Sequence, residues 1–366
     1  MFENTMIQNE LLTYFESRGY NVDRNNGTAV IKSFTKPEDE IFSLYNGVGL
    51  RHLHNASIIE LRGQDSADFL HRITTNGLKD FHKEQIRKTI FTTEKGRIID
   101  VTTVLNFESH LILVGDISNK VKVMSWINRY VISDDVKQSE ANHRFNILEF
   151  SGPQADSFMT WVCGSSISEI PVDSFKVMNV EGILFFLAKM KDERGFKKFW
   201  VLTDTTHTIR FLNYVIDNTG PFDFNLIGDE AYNSFRIEQG IPAAPNEIND
   251  LFNPHELHLS GLIDTKKGCY IGQEVLARLE TYDKVQKRLF GLLFDSPINL
   301  TPETELVDEE NQNAGVITSF VNSIKLKKPI GLAVIKKNYL NENTILYVVD
   351  GQNKIEAKVT GLPIKK

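Results

Sequence analysis

The apolar positions change period repeatedly along this chain, and each change marks an element. Ile58–Leu61 reads as a strand that ends at Gly63. Beyond it Phe69, Leu70 and Ile73 fall on one helical face, with Asp65 placed to cap the helix and Asn76-Gly77 placed to close it. Strand-like runs follow at Thr89–Thr93, Ile98–Leu105 and Leu111–Val114. A second helix over Asn119–Val131 gathers Val123, Met124, Ile127, Tyr130 and Val131 into one stripe. This β-α-β-β-α order predicts a sheet covered by helices on one face, an α+β unit.

A comparable cycle runs from Asn146 to about Gly220. Ile147–Phe150 is a strand, and Ser151-Gly152-Pro153 leads into a helix bearing Phe158, Met159 and Val162. Strands at Ile183–Ala188 and Phe199–Leu202 precede a helix with Ile209, Leu212, Tyr214 and Val215. Phe224–Gln239 reads as one more helix, stopped by Gly240 with Pro242 beyond it. From about Gln286 the texture becomes short strands and turns: Leu289–Phe294, Gly315–Phe320, Gly331–Ile335, Leu346–Val349 and Ile355–Thr360. Such a run without helices predicts a small β-barrel or sandwich. The expected organisation is therefore a domain over residues 1–285, divided into related subdomains at about 40–145 and 146–285, and a C-terminal β-barrel over 286–366.

Composition narrows the function classes. Hydrophobic residues make up 41% and charged residues 24%, the mix of a folded protein with a large core. Forty-one basic against 48 acidic residues give a net charge of -7, which argues against broad binding to nucleic-acid phosphates. The lysines between Lys325 and Lys337 read as a solvated strand edge guarded against pairing. No segment approaches the ~20 apolar residues of a membrane helix, and the first residues lack a secretory layout. Cys163 and Cys269 form no C-x-x-C pair and no disulfide framework, which fits a reducing cytoplasm. The histidines show no metal-binding spacing, so no metal is expected.

The stretch with the most chemistry is Lys267-Gly268-Cys269-Tyr270-Ile271-Gly272-Gln273-Glu274. Two glycines bracket the cysteine, suiting a bent backbone that approaches a ligand closely. Lys266 and Lys267, if near the sulfur, favour its thiolate. Tyr270 offers an aromatic face, and Gln273 and Glu274 offer an amide and a carboxylate for a heterocycle. The residues alone leave a second reading open, a buried cysteine in a turn between core elements. Cys163, in W-V-C-G, belongs to an apolar helix face.

This octet resembles the K-G-C-Y-x-G-Q-E motif of the YgfZ family, with Arg278 following where that family also carries an arginine. The block Ile59–Leu78 and the block Phe235–Pro242 (F-R-I-E-Q-G-I-P) resemble those of the wider aminomethyltransferase superfamily, which includes the glycine cleavage T-protein. So do the tail segments Gly315–Ser319 and Val359–Pro363. The resemblance implies an α+β aminomethyltransferase-like core of two related subdomains with a central folate channel, closed by the barrel. It also implies tetrahydrofolate or a derivative as cofactor, iron–sulfur client enzymes as partners, and only an indirect link to tRNA modification.

Four further residues enter through that resemblance. Asp100, in Glu94–Val101, aligns with the acidic residue of the T-protein G-G-x-x-D-D motif, although Val101 replaces the second acid and Arg97 the second glycine. Glu193 falls where T-proteins grip the pterin, without the neighbouring glycine and second glutamate. Arg236 is expected to hold the glutamyl carboxylate of folate, and Glu238 to order a neighbouring loop. A capping or ion-pair role stays open for Asp100, and a charged turn for Glu193. Three functions compete: a folate-dependent factor for iron–sulfur enzymes using Cys269 with Lys267 and Asp100, an aminomethyltransferase proper, and a non-enzymatic folate-sensing scaffold.

Overall fold

The computed structural model describes residues 2–23, 30–192, 194–282, 284–296, 298–350 and 353–365. Helix α1 (Phe2–Ser17) is followed by a short antiparallel pair, β1 (Val22–Asp23) and β2 (Val30–Ile31), and by α2 (Pro37–Asn46). Pro37 opens α2, where its missing N–H is no loss, and Glu38, Asp39 and Glu40 complement the positive end of the helix. Next come β3 (Val48–His52), β4 (Ala56–Arg62), α3 (Ser66–Ile73), β5 (Ile86–Thr92), β6 (Ile98–Asn106), β7 (Leu111–Asp116), α4 (Lys120–Tyr130) and β8 (Lys137–Glu140).

Five of these strands form an antiparallel sheet in the order β5-β6-β7-β4-β8. Alternation along the strands turns Ile59, Leu61, Val104, Leu111 and Leu113 toward α3 and α4, where they meet Phe69, Leu70, Ile73, Val123 and Ile127. Two expectations about α3 change. Asp65 stands at the N-cap position, but its carboxylate accepts the Asp135 N–H at 2.8 Å instead of capping the helix. The helix ends at Thr74, not at Asn76-Gly77: Thr74 is extended, and its hydroxyl donates to the Leu70 carbonyl at 2.8 Å.

The second cycle contains β9 (Asn146–Ser151), α5 (Ala155–Cys163), β10 (Ser174–Val180), β11 (Ile183–Lys191), β12 (Lys197–Thr203), α6 (Thr205–Asp217), β13 (Phe224–Leu226) and α7 (Asp229–Gln239). Its sheet has the order β10-β11-β12-β9-β3-β13, so β3 leaves its sequence neighbours and lies between β9 and the parallel β13. The stretch 224–239 is therefore not one helix: its first three residues extend a sheet, and α7 begins after Gly228. The two sheets pack against each other through Ile58, Leu105, Ile112 and Val114 on one side and Ile147, Ala188, Met190, Trp200 and Leu202 on the other.

Helix α8 (Gln273–Thr281) leads to β14 (Lys287–Leu293), β15 (Glu305–Val307), β16 (Asn313–Asn322), β17 (Pro329–Lys336), β18 (Ile345–Asp350) and β19 (Asn353–Thr360). These six strands close into a barrel in the order β14-β17-β16-β15-β18-β19. Closure pairs β17 on both sides, so the lysines around it guard no edge. They work at seams instead: Lys327 pairs with Glu38 at 3.0 Å, Lys328 with Asp295 at 2.9 Å, and the Lys325 ammonium lies 3.4 Å from the Tyr45 ring centre. No helix among the described residues is long and apolar enough to cross a membrane.

Candidate functional site

The end of α3 and the turn after it form a dock for the octet. Thr75 donates its hydroxyl to the Leu262 carbonyl at 2.7 Å, and the Asp264 N–H donates to the Thr75 carbonyl at 3.0 Å. Lys267 donates its ammonium protons to the carbonyls of Thr74, at 2.5 Å, and Asn76, at 2.8 Å. Further on, the Ile271 N–H donates to the Arg72 carbonyl at 3.3 Å, and the Ile271 carbonyl accepts the Thr92 hydroxyl at 2.7 Å.

His71 adds a bond whose direction can be assigned. The Leu78 N–H donates to His71 Nδ1 at 3.0 Å, so the imidazole proton sits on Nε2 and is donated to the Lys267 carbonyl at 2.9 Å. The loop is thus tied on both sides of Cys269, while Cys269 itself is exposed. A thiol presented on a fixed loop is the arrangement that results.

Both octet glycines have positive φ, 94° at Gly268 and 85° at Gly272, a region that side chains rarely adopt. They differ in surroundings. A Cβ at Gly268 would meet nothing, whereas one at Gly272 would stand 2.5 Å from the Thr93 carbonyl oxygen. Gly272 therefore permits the octet to rest on the turn between β5 and β6, and the close approach it allows is to backbone.

The remaining octet side chains are placed differently from the expected ligand cradle. Lys267 is turned toward the carbonyls that follow α3; burial draws its pKa down to about 7, with Asp264 pulling the other way. Tyr270 is buried, its ring centre 5.2 Å from the Lys267 ammonium, and burial pushes its phenol up to about 12. Gln273 starts α8, and its N–H donates to the Tyr270 carbonyl at 3.2 Å. Glu274 is exposed and faces Arg278 one turn later at 3.8 Å, so it stands on the outer surface of the helix and not around a heterocycle.

Asp100 lies near the same end of the five-stranded sheet. It pairs in register with Phe91, the neighbour of Thr92, which holds the octet. Its side chain is 2% exposed and accepts from Asn119 Nδ2 at 3.2 Å and the Asp116 N–H at 3.2 Å. Gly115 makes room for it, because a Cβ there would stand 2.0 Å from Asp100 Oδ2. Burial outweighs those hydrogen bonds and lifts the carboxyl pKa to about 7, so Asp100 can hold or release a proton near neutrality. Val101, in place of a second acid, packs with the apolar cluster of Ile98 and Ile248.

The R-x-E-x-G block lies at the seam between α7 and the barrel. The guanidinium of Arg236, expected to hold a folate carboxylate, is committed within the protein: Nε donates to Asn233 at 2.7 Å, Nη1 to Glu247 at 3.3 Å and Nη2 to Ser319 at 2.9 Å. Glu238 accepts from Tyr45 at 2.7 Å and from Ser323 at 2.7 Å, tying α7 to α2 and to the barrel. Glu193 lies outside the described residues. The structure therefore brings Lys267, Cys269, Tyr270 and Asp100 to one end of a sheet and commits Arg236 to partners at the barrel seam, where Glu247 precedes the Ile248 whose carbonyl also accepts from Asn119. His71, Thr92 and Asn119, which position the loop and the acid, were not singled out from sequence. The signal for His71 was its place inside the Ile59–Leu78 block.

Residues 10–267 match the GCVT N-terminal domain, and residues 287–366 match the glycine cleavage T-protein C-terminal barrel domain. A putative chloroplastic transferase of Arabidopsis thaliana is 25% identical over 311 residues, covering 84% of this chain and 70% of that protein. An aminomethyltransferase of Caldanaerobacter subterraneus is 24% identical over 345 residues, covering 93% and 88%. The crystal structure of the glycine cleavage system aminomethyltransferase T from Bartonella henselae superposes with a TM-score of 0.82 at 17% identity, covering 96% of each chain.

Proposed function

The chain belongs to the glycine cleavage T-protein family, and on that premise we propose that it binds tetrahydrofolate or a derivative and uses the Cys269 thiol in assembling or repairing iron–sulfur enzymes in the cytoplasm. This is the YgfZ-like role, and an effect on tRNA modification would follow through a client enzyme. The observation that carries it is the exposed Cys269 on a loop that His71, Lys267 and Thr92 hold in place. An exposed sulfur has no packing role to explain such anchoring, whereas a thiol that must meet a partner needs both access and a fixed position.

Folate itself is tested by the side chains. Around the octet they do not form a cradle, since Tyr270 is buried and Glu274 stands in solvent. Asp100 fits better, because a carboxyl with a pKa of about 7 suits proton exchange with an amine nitrogen. Folate, when bound, supplies the nitrogens that carry a one-carbon unit. This chain's part would be to keep the Asp100 proton available through Asn119 and Gly115.

The test is a Cys269→Ala variant in cells lacking the native gene, with tetrahydrofolate binding measured on the purified protein. Loss of iron–sulfur enzyme activity with folate affinity retained supports the role, and full complementation rejects it. One feature favours a second reading, an aminomethyltransferase proper: Asp100, buried and hydrogen-bonded by Asn119 and the Asp116 N–H, with burial raising its pKa, also suits transfer from a lipoyl-bound aminomethyl group to tetrahydrofolate. Turnover with a lipoylated carrier protein that depends on Asp100 and ignores Cys269 would select that reading.

A further inference from the structure

Away from the octet, one row of side chains crosses the face of the six-stranded sheet that looks toward the other sheet. Arg51 on β3 pairs in register with Glu149 on β9, and Glu149 pairs with Trp200 on β12. Strand alternation puts this row on the face that also bears Ile147, Ala188 and Leu202, which pack between the sheets. Glu149 is fully served there. It accepts from Arg51 Nη2 at 3.0 Å and from Trp200 Nε1 at 2.9 Å, and the Lys198 ammonium lies 3.6 Å away. Despite burial, Lys198 and Arg51 hold its pKa down to about 2, so it stays ionised.

Arg51 is not served in the same way. It has five N–H donors, and among the described residues one of them, on Nη2, has a protein acceptor. Its Nε is sealed from solvent with no partner. The ring of Tyr232, from α7, lies 3.3 Å from its Cζ, which stacks the guanidinium and fixes its plane. The Arg51 side chain keeps 21% of its surface open. Glu149 and Asp229 both offset the charge of Arg51, and Glu149 that of Lys198, yet most of the Arg51 donors have no acceptor among the described residues. A donor-rich interior cation is costly unless something accepts from it.

We infer that Arg51, with Lys198 beside it, is an internal subsite for a ligand carboxylate. The planar fork matches a carboxylate in two parallel N–H···O bonds, which a lysine alone could not supply. Tyr232 holds the fork in one plane, and Glu149 keeps it anchored to the sheet without consuming the remaining donors. This subsite is distinct from Arg236, whose guanidinium is committed at the barrel seam. The identity of the ligand rests on the folate reading, under which the glutamyl tail would provide the carboxylate.

The experiment compares calorimetric binding of tetrahydrofolate with that of tetrahydropteroate, which lacks the glutamate, to the full-length protein. Wild type should bind tetrahydrofolate at least about 10-fold more tightly. Arg51→Met should remove that preference while leaving tetrahydropteroate affinity unchanged, a selective loss that a merely structural arginine would not give. Arg51→Lys should restore only part of it. Should Arg51→Met not fold, Lys198→Met should narrow the preference while Glu149 keeps its bonds to Arg51 and Trp200. Equal wild-type affinity for both ligands, or a preference that survives Arg51→Met, overturns the subsite and leaves the folate reading standing. Absence of binding by either ligand overturns the folate reading and this assignment with it.

Discussion

His71 and Lys267 are joined by a hydrogen bond from the imidazole Nε2 to the backbone carbonyl, 2.9 Å long and spanning 196 residues of sequence. The histidine's other nitrogen is occupied by the Leu78 N–H, so one side chain fastens the cysteine loop to the turn after α3. His71→Ala leaves a backbone donor and a backbone acceptor unpaired, and should cost about 1–3 kcal/mol. Amide exchange around Lys267–Ile271 should quicken more than elsewhere. Unchanged exchange there would mean that the other bonds alone fix the loop.

The two cysteines should separate cleanly by reactivity. Cys269 is exposed, whereas burial pushes the Cys163 thiol up to about 12. Brief treatment of the native protein with iodoacetamide, read by peptide mass spectrometry, should label Cys269 and spare Cys163. Cys269→Ala should leave stability within about 0.5 kcal/mol, as expected of an exposed side chain.

Asp100 makes stability depend on pH. Its folded pKa is raised to about 7 against an ordinary 3.8, so folding holds its proton more tightly than the unfolded chain does. Its contribution is therefore full below pH ~4 and is lost as pH rises through about 7, a swing on the order of 4 kcal/mol. Asp100→Asn should remove that slope and gain on wild type between pH 5 and 8 in urea melts. Parallel curves for the two proteins over that range would contradict a raised pKa.

Gly115 offers a complementary probe of the same acid. Gly115→Ala brings a Cβ to 2.0 Å from Asp100 Oδ2, so one of the two must move. The substitution should destabilise by roughly 1–3 kcal/mol, and shortening the acid in Asp100→Ala should relieve much of the added strain. A double-mutant cycle in thermal melts gives the coupling, and a value near zero would show that the strand simply shifts.

At the barrel seam, Arg236→Met leaves Glu247, 0% exposed, without its cation. Loss of one member of a buried pair costs about 3–5 kcal/mol. Adding Glu247→Gln should recover part of it, as read from urea midpoints.

Much of the architecture was legible because its signals are local. The helical stripe of α4 and the strands from β5 to β7 follow from side-chain period, and the barrel follows from short strands with turns. What the period could not reveal was pairing at a distance. β3 and β13 are too short and too separated for either to announce a parallel partner, and so 224–226 was absorbed into the helix that follows. At the candidate site, Cys269 stood out as a rare residue between glycines. The placement of its neighbours did not, because it depends on carbonyls of Thr74 and Asn76, and carbonyls carry no residue type to read. Arg236 and Arg51 show the same limit from opposite sides. The first lies in a recognisable block and is committed at a seam, while the second sits in no motif and keeps most of its donors uncommitted.

The place of β3 between β9 and β13 has a consequence for biosynthesis. As the polypeptide emerges from the ribosome, β3 appears among the first strands, yet one of its two flanks stays open until residue 226 has been made. A product arrested earlier would expose that unpaired flank, and translation must run past residue 226 before the sheet can seal.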